Sequence, residues 1–229
     1  MTEIDYYKAA RRAMVSEQIE RRGITNPRLL EVLRTVPRHL FVAAEFEKKA
    51  YDDCPLPIGA GQTISQPFIV GLMTSLLTLQ GDENVLEIGT GSGYQAAILA
   101  HLAKTVHTLE RHEELAEYAS RVLSDLGLDN VFVHPADGSL GWPEAAPYQA
   151  ILVTAAAPRP PEPLLEQLAL ENGRLVIPVG SHPEQDLQVW RMKNGRLDWD
   201  SILPVSFVPM RGKFGWKEEE WQDRSDSPA

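Results

Sequence analysis

The sequence predicts an α/β protein: a doubly wound, mostly parallel sheet with antiparallel strands at its C-terminal edge, preceded by N-terminal helices. Three observations carry this. Val85–Ala100 reads as a short apolar strand, then three glycines alternating with Thr90 and Ser92, then a helical run from Tyr94, the opening unit of such a sheet. Short apolar runs and amphipathic runs alternate after it as far as Val179. Beyond Asp186 the pattern becomes two strands around Asn194-Gly195, a two-residue turn that belongs to a hairpin.

The N-terminal part reads as helices. Over Ile4–Arg22, Ala9, Ala10, Ala13, Met14 and Ile19 recur at three- and four-residue spacing, with Arg11, Arg12, Glu17 and Glu20 outside and Gly23 as the stop. Asn26 caps a second helix, Pro27–Val36, whose apolar face is Leu29, Leu30, Val32 and Leu33 and which Pro37 ends. A short helix is expected around Ala43–Lys49. Tyr51–Gln66 carries Pro55, Pro57, Gly59 and Gly61 and has no period, so it is read as a functional loop. It ends in T-I-S-Q-P-F at Thr63–Phe68, where an apolar helix, Pro67–Leu79, begins.

In the core, Val85–Ile88 is the first parallel strand and Thr105–Leu109 the second, closed by Glu110. Glu110 lies 21 residues after Gly89, the distance at which an acid binds ribose hydroxyls in sheets of this kind. His112–Leu126 is an amphipathic helix stopped by Gly127. Asn130–His134 is a strand leading to Asp137-Gly138 at a carboxyl edge, where ligands bind in open α/β sheets. Gln149–Val153 is the next strand, Thr154–Pro163 a proline-rich loop suited to lining a cleft, Pro163–Leu170 a short helix and Gly173–Val179 a strand. The hairpin Leu187–Lys193/Arg196–Ile202 follows, then a last strand, Ser206–Met210, and a charged, mobile tail from Lys217. The expected division is residues 1–80 for the helices and loop, 81–213 for the sheet, and 214–229 for the tail.

Composition narrows the partners. The formal net charge of −10 argues against a nucleic-acid or anionic-membrane surface. Cys54 is the single cysteine, so no disulfide can form within the chain. Met1–Tyr7 is polar and acidic, unlike a signal peptide, and no apolar run approaches membrane-spanning length. A cytoplasmic monomer is expected. No metal is expected either: the histidines lack ligand spacing, no C-x-x-C exists, and His112-Glu113 is followed by Ala116 where H-E-x-x-H needs a second histidine. Ser92, in T-G-S-G-Y, does not fit the G-x-S-x-G elbow of a hydrolase.

The glycine turn also discriminates between ligands. A dinucleotide fingerprint would place its third glycine at position 94, which is Tyr; here it comes one residue early, at Gly93. No G-x-x-x-x-G-K-S/T is present, so no lysine is set to cradle phosphate. These features disfavour a nicotinamide-dependent oxidoreductase. The E-x-G-x-G-x-G form, Glu87 to Gly93, resembles the first motif of Rossmann-like S-adenosylmethionine-dependent methyltransferases. Their cofactor has no phosphate and carries cationic groups, so acids are expected around it, with Asp137 placed to accept from an adenine amino group.

From about Met14 to Lys213 the chain resembles the protein-L-isoaspartate O-methyltransferase family. The matching pieces are R-H-L-F-V at Arg38–Val42, Q-T-I-S-Q-P at Gln62–Pro67, L-E-I-G-T-G-S-G-Y at Leu86–Tyr94 and D-G-S-L-G-W at Asp137–Trp142. They continue with A-P-Y-Q-A-I-L-V-T-A-A-A-P at Ala146–Pro158, G-R-L-V-I-P-V-G at Gly173–Gly180 and F-V-P-M at Phe207–Met210. Many methyltransferases share the glycine motif; the T-I-S-Q-P loop and V-T-A-A-A-P are far more specific. The resemblance implies a Rossmann-like methyltransferase fold. It also implies methyl transfer from S-adenosyl-L-methionine, leaving S-adenosyl-L-homocysteine, to the α-carboxylate of L-isoaspartyl residues in damaged peptides and proteins. On it, Ser65 is catalytic. Thr63, Ile64, Glu87, Gly89, Gly91, Ser92, Gly93, Glu110, Asp137 and Gly138 bind the cofactor, and Ile64, Ser65, Gln66 and Val208 the substrate. By position alone Ser65 reads as a helix-capping serine. A methyltransferase for another carboxylate, and a binding module that has lost the chemistry, are the competing readings.

Overall fold

The computed structural model describes residues 3–181 and 183–221. The first helix, α1 (Glu3–Met14), runs on through a π turn at Val15–Ile19 and a 3-10 turn at Glu20–Arg22. It stops at Gly23, whose φ of 93° only glycine adopts cheaply. Helix α2 (Pro27–Thr35) starts as its sequence requires: the Asn26 side chain accepts from the Leu29 N–H, and proline fills the first turn, a cap worth about 1 kcal/mol. Leu29, Leu30 and Leu33 are buried along one stripe of α2, each contributing roughly 1.5–3 kcal/mol of burial. Two 3-10 turns follow, Arg38–Phe41 and Ala44–Lys49.

The stretch expected to be an unstructured loop contains a hairpin, β1 (Leu56–Gly59) and β2 (Gln62–Ile64), which pair antiparallel with a bulge between Pro57 and Gly59. Each strand is too short to show an alternation, and Pro57 argues against a strand, so the pattern did not register it. Helix α3 (Pro67–Leu77) leaves this hairpin and ends two residues before the expected Leu79, with Thr78 in the left-handed region at φ 48°.

The main sheet holds seven strands: β3 (Asn84–Ile88), β4 (Thr105–Glu110), β5 (Val131–Pro135), β6 (Ala150–Val153), β7 (Arg174–Ser181), β8 (Glu184–Lys193) and β9 (Arg196–Val205). Their spatial order is β5-β4-β3-β6-β7-β8-β9. The first five are parallel and the last two antiparallel, as predicted. The central strands β3 and β6 are buried on both faces, which is why they read as unbroken apolar runs. Helices α4 (Tyr94–Ala100) and α5 (Glu113–Asp125) cover one face, joined there by α1, α2 and α3 in the larger core. The short helix α6 (Glu162–Glu166) packs on the other. The stop of α5 at Gly127 is a Schellman turn: the Leu128 N–H reaches the Leu123 carbonyl and the Gly127 N–H that of Ser124. In the β8–β9 hairpin Asn194 and Gly195 both have positive φ, the geometry of a type I′ turn.

Two expected elements differ. The helix predicted as Pro163–Leu170 leaves helical geometry after Glu166, because Tyr148 and Leu168 form a bridge that draws residues 167–169 toward the sheet. Ser206–Met210 is irregular. Pro209 has no N–H to give a ladder, and the segment is held by the Ala156 N–H on the Val208 carbonyl and the Met210 N–H on the Ala156 carbonyl, both at 2.8 Å. In the tail, Glu218–Glu220 forms a 3-10 turn, the Phe214 N–H donates to the Ser139 hydroxyl and the Trp216 N–H to the Met210 carbonyl; residues 222–229 of the predicted tail lie outside the described residues.

Three carboxyls are buried in or beside the sheet among the described residues, Glu83, Glu87 and Glu110. Glu87, on β3, is 0 % exposed. The Thr108 hydroxyl lies 2.5 Å from its Oε2, with the Thr90 hydroxyl 2.7 Å beyond. Burial pushes its pKa from 4.5 up to about 8, the Thr108 bond opposing and Glu110 adding to the shift. Between those two pH values the folded protein holds a proton that the unfolded chain has released, so stability falls as pH rises across that window. Thermal melts from pH 5 to pH 9 are expected to show this loss, and Glu87→Gln to show a smaller one.

Candidate active site

The strand order reverses between β3 and β6, and ligands of open α/β sheets bind at the carboxyl end of such a switch. At this reversal stands Thr154, the residue after β6. Its hydroxyl lies within hydrogen-bond reach of the Gly89 and Ile88 carbonyls, at 2.8 and 3.0 Å. Gly89 has φ 94°, and a Cβ there would fall 2.4 Å from the Thr154 Oγ1, so the position admits glycine alone.

A cleft with about 950 Å³ of empty space, its open mouth included, lies over this point. One wall is the end of the β1–β2 hairpin and the residue after it: Thr63, Ile64 and Ser65. The floor is the turn after β3, with Gly89, Gly91 and Ser92. Glu110 and Gly138 close the far side, and Val208 lines the opposite rim from the irregular segment after β9. Glu110 is held by two backbone donors, with the Gly91 N–H on Oε2 and the His112 N–H on Oε1, both at 2.9 Å. The carboxylate therefore ties the first glycine turn to the end of β4 and remains in the cleft wall.

Four residues named from the sequence lie beside the cleft. Glu87 sits in the sheet below the turn. Gly93 packs against Ala119 of α5, where a Cβ would approach the Ala119 Cβ to 3.2 Å. Gln66 is the residue before α3 and donates to the Asp53 carbonyl at 3.2 Å. Asp137 accepts from the Ser139 N–H and hydroxyl on Oδ1 and from the Lys213 N–H on Oδ2. Its carboxylate thereby anchors the segment that brings Val208 to the cleft.

Helix α3 has no side-chain cap, so the capping role open to Ser65 by position is absent. Tyr94, the residue at the place of a third dinucleotide glycine, is 1 % exposed. Its ring lies edge-on to Phe41 and reaches the cleft from below. Burial pushes its phenol up to about 12. Arg111 and Arg211 also line the cleft, and sequence reasoning did not single them out; neither sits in a motif with a spacing of its own. Arg38 was noticed only within R-H-L-F-V. It is fully buried and donates from Nη2 to the Ser65 carbonyl at 2.7 Å.

Comparison with known proteins agrees with this geometry. The family model for protein-L-isoaspartate(D-aspartate) O-methyltransferase matches residues 9–215. A protein-L-isoaspartate O-methyltransferase of Trichlorobacter lovleyi is 55 % identical over 212 residues, covering 92 % of this chain and 97 % of its own. Among solved structures, a protein-L-isoaspartate O-methyltransferase superposes with a TM-score of 0.81 at 27 % identity, over 89 % of this chain and 67 % of that one. The beta-aspartate methyltransferase (PCMT) of Plasmodium falciparum, in complex with S-adenosyl-L-homocysteine, superposes with a TM-score of 0.76 at 26 % identity, over 88 % and 98 %. With a glycine turn, a clamped strand-end acid and a serine loop on one cleft, and a family model spanning nearly all of the sheet and its helices, this chain belongs to the protein-L-isoaspartate(D-aspartate) O-methyltransferase family.

Proposed function

We propose that this protein transfers a methyl group from S-adenosyl-L-methionine to the free α-carboxylate of L-isoaspartyl residues in damaged peptides and proteins. The observation that carries the reading is that Thr63, Ile64 and Ser65 meet Gly89, Gly91, Ser92 and Glu110 in a single cleft. A group bound by the glycine turn thus faces whatever the serine loop holds.

The chain's residues fit the donor. The Gly89–Ser92 main chain is open to close approach because Gly89 and Gly91 carry no Cβ. Each Glu110 oxygen accepts a single backbone N–H, leaving acceptor capacity for ribose hydroxyls. S-adenosyl-L-methionine, when bound, supplies an electrophilic methyl on a sulfonium, with a neutral thioether as leaving group. The nucleophile belongs to the substrate and is ionised at neutral pH, so no side chain has to remove a proton. What the protein contributes is alignment. The Ser65 hydroxyl donates one hydrogen bond to the carboxylate, and α3, starting at Pro67, turns its positive end toward the same place. A neutral hydroxyl holds the anion and leaves it nucleophilic, whereas a lysine would hold it more tightly and blunt it. Val208 and the loop offer backbone and apolar contact to the peptide, consistent with tolerance of many flanking sequences. A backbone amide nitrogen of the substrate then attacks the ester carbonyl and expels methanol, closing a succinimide without further help from the protein, and hydrolysis returns part of it as aspartate.

Labelled S-adenosyl-L-methionine incubated with paired aspartyl and isoaspartyl peptides is expected to leave base-labile label on the isoaspartyl member only; equal labelling, or none, removes the assignment. Ser65→Ala is expected to lower kcat by ~10²-fold, the scale of loss when a reacting group is no longer held in line, with calorimetric donor affinity kept within about twofold. Glu110→Ala should weaken donor binding by roughly 10- to 100-fold, the worth of charge-assisted hydrogen bonds, while peptide KM at saturating donor stays near that of the parent.

A further inference from the structure

Arg38 is the largest fully buried side chain of the described residues, at 0 % exposure. Its guanidinium has no carboxylate partner among them: the four ion pairs lie elsewhere. Nε donates to the Ala50 carbonyl and Nη2 to the Ser65 carbonyl, both at 2.7 Å. The guanidinium carbon lies 4.8 Å from the centre of the Tyr94 ring, and Nη1 is buried with no hydrogen-bond partner among the described residues. Burial lowers its pKa to about 10, which still leaves it charged at neutral pH.

A buried cation held by two neutral carbonyls and a ring is a costly way to fill space; an apolar residue of similar volume is often as stable or more so. Its contacts indicate a different use. Ala50 and Ser65 are the two ends of the segment that carries the β1–β2 hairpin, so one side chain closes that segment. Tyr94 is the first residue of α4, directly after the glycine turn, so the same side chain joins the serine loop to the donor-facing turn. A planar fork with fixed N–H directions sets both distances at once.

We propose that Arg38 is a positioning residue for the methyl transfer, an internal clasp that holds Ser65 in register with the Gly89–Gly93 turn. The proposal rests on the assignment of Ser65 as the group that steadies the substrate carboxylate. Arg38 does not line the cleft; it acts through the backbone of Ser65 and the ring of Tyr94. A lysine reaches one carbonyl at a time and cannot reproduce the fork.

The test is a double-mutant cycle with Ser65→Ala, Arg38→Lys and both together, with Arg38→Gln in parallel because it keeps N–H donors without the charge. Thermal melting, calorimetric affinity for S-adenosyl-L-homocysteine, and kcat and KM on an isoaspartyl peptide are measured for each. Arg38→Lys is expected to lower kcat about tenfold, as misplacement of a reacting group does, with peptide KM and homocysteine-analogue affinity within about twofold. In the Ser65→Ala background the same change is expected to have little further effect, because the group it positions is gone. Multiplicative effects, an unchanged kcat in folded variants, or failure of both Arg38 variants to fold would each overturn the proposal. Ser65→Ala on its own reports on the assignment of Ser65, so wild-type turnover in that variant ends that assignment, and the proposal with it, through a separate arm.

Discussion

The contact between Thr154 and the main chain at Gly89 is the constraint on which the remainder of the structure depends. Two parallel strands, β3 and β6, run side by side, and at their carboxyl ends the threonine hydroxyl bonds the Ile88 and Gly89 carbonyls. A side chain at Gly89 would break that approach. The glycine turn leaves β3 at this point, α4 starts after it, and five other segments of the chain line the cleft there. Glu110 then locks the turn to the neighbouring strand with two main-chain hydrogen bonds. The site is thus assembled mostly from backbone, and side-chain identity matters at few positions.

Much of this is legible in the residues. Strands buried on both faces announce themselves as apolar runs, and β3 and β6 were readable for that reason. Asn26, Gly127 and Asn194-Gly195 specify a cap, a stop and a turn by local chemistry, and each does so in the structure. What was not legible depends on distant partners. The β1–β2 hairpin is too short for periodicity. The irregular course of Ser206–Met210 is set by Ala156 and by Gln185, whose side chain accepts from and donates to the main chain of Phe207. Of the site, the residues reaching the cleft through their main chain or at strand ends were found from the motif. The same motif could not tell that Asp137 turns its oxygens to Ser139 and Lys213, or that Glu87 lies within the sheet, since both are acids at the right distance from the glycines. Arg38 was visible as a letter in a motif, but its burial and its bond to Ser65 are facts of packing.

The ionisable groups around the cleft sort by depth. Glu87, Arg38 and Tyr94 are all buried, and burial moves each toward its neutral form, although the arginine remains a cation. None of them is needed to move a proton in the chemistry proposed. They lie beneath a site whose proposed working groups are a hydroxyl, a clamped carboxylate and backbone N–H groups. This suits a reaction in which both partners arrive already activated, one as a sulfonium and the other as an anion.

The anchoring of the segment after β9 couples distant parts of the chain. Asp137 and Ser139 bind the N–H groups of Lys213 and Phe214, and it is this return that carries Val208 and Arg211 to the rim. Lys213 and Phe214 lie 76 and 75 residues after the side chains that hold them, so this rim is closed by contacts between parts of the chain far apart in sequence.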